Sequence, residues 1–538
     1  MIRVSELRLE LDEDESLLRK KAGKVLRTDP KYIEKLTIFK KSVDARKKDD
    51  VHFSYTVDVT LGLDETQVLR RCRSPKAKAA EEYKYTLPVN RRQSAFRPVV
   101  VGFGPAGMFA GLILAEAGLR PIVLERGKDI QRRQQDVNAF WQQHILNEES
   151  NVQFGEGGAG TFSDGKLTTG IKSPFIRQVL QELYEAGAPE EILYAAKPHI
   201  GTDYLHIALK NLRQELLDAR TDLRFESQLT DLDIRDGALR KITVSGPEGT
   251  YTLPCQNLIL CPGHSARDTF ELLFARGVAM EAKPFAVGVR IEHRQADCDA
   301  AQYRQYAGHP GLPVSTYKLS CHLPGGRAAY SFCVCPGGEV VAAASEAERE
   351  VTNGMSEFAR DKENINGGLL VNVTPEDYGG AEDPLAGIAF QRKLESAAYA
   401  LGGGDYRAPA QRVGDFLAGR PSVGPGRVHP SYRPGVTWTD LRRCLPPFVA
   451  DTIAGALPLL GQKLRGYDDP DAVLTAVESR SSSPVRIPRD GTCQSSLRGL
   501  YPCGEGAGYA GGILSAAADG MHCAEQLCQS IQKESDCL

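Results

Sequence analysis

Gly102-Phe103-Gly104-Pro105-Ala106-Gly107 spaces its glycines as G-x-G-x-x-G, directly after the apolar run Val99-Val100-Val101. That spacing suits a backbone that turns sharply, approaches a pyrophosphate and then starts a helix. Gly102 permits the turn, Gly104 the approach, and Gly107 close packing of helix on strand. Pro105 and Ala106 open the helix, whose unpaired N–H groups and partial positive charge suit phosphates. Glu125, followed by Arg126, closes the next apolar strand. An acid there can bind an adenosine ribose and disfavours a 2′-phosphate.

NAD and FAD share this fingerprint. A second strand–glycine–helix passage separates them: Gly499-Leu500-Tyr501-Pro502-Cys503-Gly504-Glu505-Gly506-Ala507-Gly508, then Tyr509-Ala510-Gly511-Gly512-Ile513. FAD is long, and its flavin end needs a backbone approach of its own. The late segment therefore favours FAD. Gly155-Glu156-Gly157-Gly158-Ala159-Gly160-Thr161-Phe162-Ser163-Asp164-Gly165-Lys166 forms a third glycine-rich stretch. Its amides, Gly158 among them, and Lys166 can lie along the phosphates or flavin; a structural loop with a solvated lysine is the plainer reading.

The late passage resembles the two-segment FAD site of glutathione-reductase-like flavoproteins. That likeness implies a phosphate–ribityl role for Gly504 and Glu505, and a helix N-terminus at Gly512 and Ile513 near the flavin pyrimidine edge. Leu260-Cys261-Pro262-Gly263-His264-Ser265-Ala266 takes the place of the A-T-G stretch that ends a core strand there, which puts Gly263 at the cofactor. The chain as a whole resembles the FAD-dependent dehydrogenase (NAD(P)/FAD-dependent oxidoreductase) family. Four stretches carry this: residues 155–167, Phe332-Cys333-Val334-Cys335-Pro336-Gly337-Gly338, Val351-Thr352-Asn353-Gly354-Met355-Ser356, and residues 478–487. The implied activity is electron or hydride transfer through FAD, to or from a small-molecule substrate or electron carrier. A second G-x-G-x-x-G in a βαβ setting is missing, so NAD(P)H enters only as a transient electron donor.

Lys166 and Cys335 are the candidate catalytic residues. Cys333 and Cys335 form a C-x-C that a flavin could use as a dithiol. Strand alternation would put both on one face, where simple packing is the first explanation. No second Cys/His pair completes a four-ligand metal site, so no metal is expected. Gly263-His264-Ser265-Ala266-Arg267 lacks the last glycine of a nucleophile elbow, which excludes that hydrolase class. Arg480, Arg486 and Arg489 could bind an anion, although a surface charge run explains them more simply. His199, His264 and His322 are further proton-donor candidates.

These residues need a scaffold, and the glycines outline it. Residues 1–97 hold only Gly23 and Gly62 among 53 glycines in 538 residues. That front portion carries 23 Lys/Arg against 16 Asp/Glu. It reads as strand (4–11), helix (15–26) and strands (32–41, 51–61), followed by a basic linker over 70–78. Behind it, residues 99–101, 105–116 and 121–124 read as strand, helix and strand. Residues 224–261 read as a β-meander returning to a core strand, and helices are expected near 391–401, 439–456 and 516–529. The expected fold is α/β: a Rossmann-like FAD-binding domain of parallel sheet plus β-meander, interrupted by an α+β substrate/cap domain, after a small α+β module. Boundaries fall at 1–90, 97–285, 286–480 and 481–538. No long apolar run or signal peptide is present, so no membrane partner and a cytoplasmic setting are expected. Thirteen scattered cysteines, an odd number, fit reduced thiols. An alternative function is a flavin-containing RNA- or protein-binding factor using residues 1–97; local acids at 10–15 weaken the nucleic-acid reading.

Overall fold

Short strands from far-separated parts of the chain, all but one apolar, meet in one parallel sheet. They are β5 (Val99–Val101), β6 (Ile122–Leu124), β7 (Asp222–Arg224), β11 (Leu258–Leu260) and β23 (Leu500–Pro502), in the order β23-β11-β5-β6-β7. Strands β5, β6, β11 and β23 are buried throughout, which is why they read as unbroken apolar triplets rather than alternating patterns. The computed structural model describes residues 1–88, 97–380 and 382–536; the expected boundary at residue 90 lies outside them. Helix Pro105–Glu116 follows β5 and packs against the terminal helix Ile513–Asp536. The antiparallel meander β8 (Gln228–Arg235), β9 (Ala238–Gly246) and β10 (Gly249–Pro254) stands beside the sheet.

The chain leaves and re-enters this unit at one place. There β12 (Glu281–Ala282) pairs with β22 (Val485–Arg486), and Lys283 N–H donates to Pro484 O at 2.8 Å. Between them lies a seven-stranded sheet: β13 (Phe285–Arg294), β14 (Ser320–His322), β15 (Ala328–Cys335), β18 (Asn364–Val373), β19 (Ala408–Arg412), β20 (Val436–Trp438) and β21 (Val473–Glu478). Its order is β14-β15-β18-β13-β21-β19-β20, antiparallel except at β19–β20. A ribbon of β16 (Glu339–Ala342) and β17 (Thr352–Met355) adjoins it. Val287, Ile291, Leu369, Ile453 and Leu457 belong to its separate core.

The front module is a four-stranded sheet, β2-β3-β1-β4, of β1 (Ile2–Leu9), β2 (Ile33–Asp44), β3 (His52–Leu61) and β4 (Ala77–Ala79). Burial along β3 alternates over its length, as a half-buried strand requires. The expected basic linker over 70–78 is a correction. Residues 65–72 form helix Glu65–Cys72, capped by Asp64 accepting from Thr66 N and Gln67 N, and 77–79 form the edge strand β4. Val68 and Cys72, four apart, supply the buried stripe that a polar-looking sequence hid. Two helices also differ from expectation: Pro447–Lys463 starts later than 439, because Pro446-Pro447 sets its first turn, and the last begins at Ile513. Much of the module's positive charge is paired, as in Arg3–Asp58 (2.7 Å), Arg8–Asp50 (2.6 Å) and Lys41–Glu15 (2.8 Å). Among the described residues, no helix is long and apolar enough to cross a membrane.

Candidate active site

A cavity of about 370 Å³ lies between the parallel sheet and the seven-stranded one. Gly102, Gly104, Pro105 and Ala106 form part of its wall. Gly102 has φ 96°, and a Cβ there would fall 2.1 Å from Cys261 O. Gly107 lies behind the wall, where a Cβ would meet Gly102 O at 1.8 Å. Its role is thus packing of helix against strand. Gly104 caps the helix without a side chain, so the first N–H groups stay available at the cavity.

Glu125 lines the cavity but is also built into its frame. Its carboxylate accepts from Phe103 N (2.8 Å), Gly127 N (2.8 Å) and Gly155 N (2.9 Å). A carboxylate offers about four lone-pair positions, so about one is left for a ligand hydroxyl. The adjacent Arg126 also lines the cavity; Glu149 (2.8 Å) and Asp268 (2.9 Å) hold its guanidinium over the Phe154 ring. The glycine loop at 155–160 has its own brace. Buried Arg133 donates to the carbonyls of Asn151, Val152, Glu156 and Gly158 at 2.6–2.9 Å. This fixes Gly158 opposite Gly104.

The late segment closes the same cavity through Gly504, Glu505, Gly512 and Ile513, with Gly263 beside it. Gly512 (φ 116°) and Gly263 (φ 68°) leave open space where a Cβ would stand. Helix Ile513–Asp536 begins at this wall. Burial pushes the Glu505 carboxyl up to about 7, against the pull of Lys283.

The far wall comes from the seven-stranded sheet and its surroundings: Phe332, Cys333, Asn353 and Glu478, facing Lys166. Lys166 is ion-paired to buried Asp164 (2.8 Å), which Arg360 also holds (2.6 Å), and it donates to Val334 O. Burial opposes its charge, yet Asp164 and the two cysteines hold its pKa above the ordinary lysine value. Arg290, fully buried, contacts Glu478 (2.6 Å), Cys333 O (2.8 Å), Asn366 Oδ1 (3.0 Å) and Asn353 Oδ1 (3.1 Å). Burial pushes Glu478 up to about 7 despite that partner.

Cys335 is buried behind the wall, and Cys333 lines it. Simple alternation fails here. Between Phe332↔Gly368 and Cys335↔Asn366 the register slips by a residue, and Cys333 adopts φ 40°. That is a β-bulge, which re-aims one side chain.

Arg480 corrects the surface reading. It is buried, bonding Glu395 (3.0 Å) and Ser265 Oγ (3.1 Å) at the cavity. Arg267 shares Glu395 at 2.7 Å, so the trio clamps one sheet unit to the other. Arg486 and Arg489 stack on Tyr509 outside the cavity lining, and Arg489 also binds Asp519 (2.6 Å). Its guanidinium sits where Cys503, Asp519 and Cys523 converge. His264 lines the cavity, where burial and then Arg480 drive its pKa down to about 3, leaving it neutral. His199, stacked on Phe358, and His322 are not part of the lining. Sequence reasoning missed Arg133 and Arg290. The first sits in a run resembling a solvent-facing helix, and the second finds its partners far away in the chain.

Residues 284–481 match the family described as FAD-dependent protein, C-terminal domain-like. Residues 1–60 match a domain of unknown function, DUF8436. Among solved structures, the chain is similar to the flavin-dependent brominase Bmp2 and to a geranylgeranyl bacteriochlorophyll reductase-like protein from Thermoplasma acidophilum. Each is 12% identical, with 83% of this chain and 80% of that chain covered and a TM-score of 0.37. It also resembles OxyS anhydrotetracycline hydroxylase from Streptomyces rimosus (18% identity, TM-score 0.26), covering 53% of this chain and about half, 47%, of that one. An uncharacterized protein of Clostridium beijerinckii is 47% identical over 534 residues, spanning 98% of this chain and 99% of that protein. At that identity and span, the chain belongs to the same family as its Clostridium beijerinckii relative, and its residues 284–481 are a domain of the FAD-dependent protein C-terminal kind.

Proposed function

We propose that this protein is an FAD-dependent oxidoreductase whose central domain caps the flavin and selects a small-molecule substrate or electron carrier. The observation carrying this reading is one continuous cavity walled by the fingerprint, the late glycine segment and the central sheet. The glycine cradle fits a dinucleotide: Gly104 faces Gly158, and Gly263 and Gly512 leave space that a Cβ would take. The match of residues 284–481 supports the same cofactor.

Bound FAD supplies an acceptor and donor of an electron pair. Gly102, Gly104 and Ala106 bind the pyrophosphate through backbone, in the two-segment manner of glutathione-reductase-like proteins. The remaining acceptor position of Glu125 takes the adenosine ribose. Gly504 and Glu505 hold the ribityl region, and the N-terminus at Ile513 favours negative charge on the flavin pyrimidine. Near neutral pH the Glu505 carboxyl is protonated in part of the molecules, so it can hold or release a proton at its oxygen. Arg290 and Asn353 orient Glu478 and the far wall. NAD(P)H is the proposed electron donor, bound transiently at the open face. Buried cysteines outside any disulfide, such as Cys255, Cys298 and Cys444, support a cytoplasmic setting.

The test is the visible spectrum of the purified protein, followed by anaerobic addition of NADH or NADPH. A yellow protein bleached by either is expected, with the colour lost in Gly104→Glu. Normal flavin retention in that variant would sink the reading.

A further inference from the structure

Cys333 and Cys335 occupy a geometry that packing does not require. The bulge forces a β-carbon-bearing residue to φ 40°, turning Cys333 into the cavity wall while Cys335 stays fully buried behind it. The Cys335 thiol folds back on its neighbour, donating to Cys333 O at 3.3 Å. Two cations, half-buried Lys166 and buried Arg290, face the pair. Lys166 donates to the intervening Val334 O, and Arg290 Nη1 lies 2.8 Å from Cys333 O and 3.9 Å from Cys335 Sγ. Glu478, which pairs with Arg290, also lines the cavity. A cavity-lining sulfur, a second sulfur behind it and fixed positive charge are the parts of an attacking and a resolving thiol.

We propose that Cys333 and Cys335 are a redox-active dithiol that carries an electron pair between the flavin and a small disulfide substrate, an inference that rests on the FAD reading above. The adjacent Cys335 side chain, with Lys166 and Arg290 acting against burial, holds the Cys333 thiol well below its ordinary range. Every other described cysteine with a displaced pKa is displaced upward, through a neighbouring cysteine first at Cys335 and Cys493, and through burial first at Cys255, Cys298, Cys321, Cys444, Cys503 and Cys528.

The Cys333 thiolate attacks one sulfur of RS–SR, so that a Cys333–SR bond forms and RS⁻ leaves. Cys335 then attacks Cys333 Sγ. The Cys333–Cys335 bond forms, the second RS⁻ leaves, and the Cys335 proton ends on one product thiol. The new disulfide takes an electron pair and one proton from anionic reduced flavin. This returns Cys333 as thiolate and Cys335 as thiol, and leaves the flavin oxidised. Opening onto a cavity rather than a flat face restricts the substrate to a small disulfide.

The test combines an anaerobic reductive titration of the holoprotein with mass-spectrometric mapping of residues 333–335, after oxidation by hydroxyethyl disulfide and trapping with iodoacetamide. Wild type is expected to take up two more electrons per flavin than C335S or C333A. It is also expected to give a mapped 333–335 disulfide, which flavin-stripped protein forms too. Equal uptake by wild type and both variants, with the flavin spectrum retained, would overturn the dithiol and leave the FAD reading standing. A colourless wild type would overturn the FAD reading and the coupling together. If either variant loses flavin, the mapping of wild type decides, and no 333–335 disulfide there overturns the proposal.

Discussion

Gly504 stands directly against Ala106: a Cβ on Gly504 would fall 2.8 Å from the Ala106 Cβ. The late glycine segment and the fingerprint are therefore one surface, although most of the chain lies between them. Gly504 also has φ 77°, and its N–H donates to Asp519 Oδ2 at 2.8 Å, which fixes the turn. A side chain here meets both a strained backbone and a crowded wall. Gly504→Ala is expected to weaken FAD retention about tenfold or more, corresponding to ~1.4 kcal/mol. Ultrafiltration with absorbance reads the loss, and an unchanged far-UV spectrum separates it from misfolding.

Glu125 is expected to matter to the apoprotein as well as to the cofactor. Its three backbone N–H partners belong to the fingerprint, the turn after β6 and the glycine loop. Glu125→Ala strands three donors, two from the glycine-rich turns, and each buried orphan costs about 1–3 kcal/mol. Urea unfolding of flavin-free protein should show a loss of about 3 kcal/mol or more. A purely ribose-binding glutamate would leave that midpoint unmoved.

Four strands of the parallel sheet were legible because each is a buried apolar triplet, as at Val99–Val101 before Gly102, whereas β7 is polar and half-buried and was not. The cradle was legible for the same reason, since glycine spacing is a local record of backbone approach. The far wall was not. Arg290, Asn353 and Glu478 meet only through the register of β13, β17 and β21, which no short window contains. The C-x-C was visible as composition, but the bulge at Cys333 comes from pairing with β18 and reversed the simple alternation. Arg480 looked like surface charge because its partner Glu395 is carried by a helix 85 residues earlier.

Glu395 is the pin of the clamp between the two sheet units. It is fully buried and bonds Arg267 (2.7 Å), Arg480 (3.0 Å) and Ser479 Oγ (2.6 Å). Glu395→Gln keeps the shape but leaves two buried guanidinium groups with only the less buried Glu346 as a shared countercharge. A loss of about 3–5 kcal/mol is expected, as for other buried pairs broken on one side. Burial alone would raise its pKa, yet Arg267 and Arg480 hold it well below the ordinary carboxylate range. Its contribution is thus present above the unfolded value and lost as acid approaches the folded one. The variant should therefore show a lower urea midpoint at neutral pH and a shallower decline on acidification.

Glu505 has the opposite sign. Burial raises its carboxyl from 4.5 to about 7, so the folded protein binds a proton more tightly than the unfolded chain. That stabilisation is complete below about pH 4.5 and is lost as the pH rises through about 7. Flavin-free wild type should accordingly lose stability across this window, by an amount on the order of 1–3 kcal/mol. Glu505→Gln removes the titration, so its midpoint should exceed that of wild type at pH above about 7 and converge with it in mild acid. Thermal melts of both proteins across the window measure this. Parallel curves would place the charged carboxylate in contact with water, and Glu505 would then have no proton to hold near the flavin.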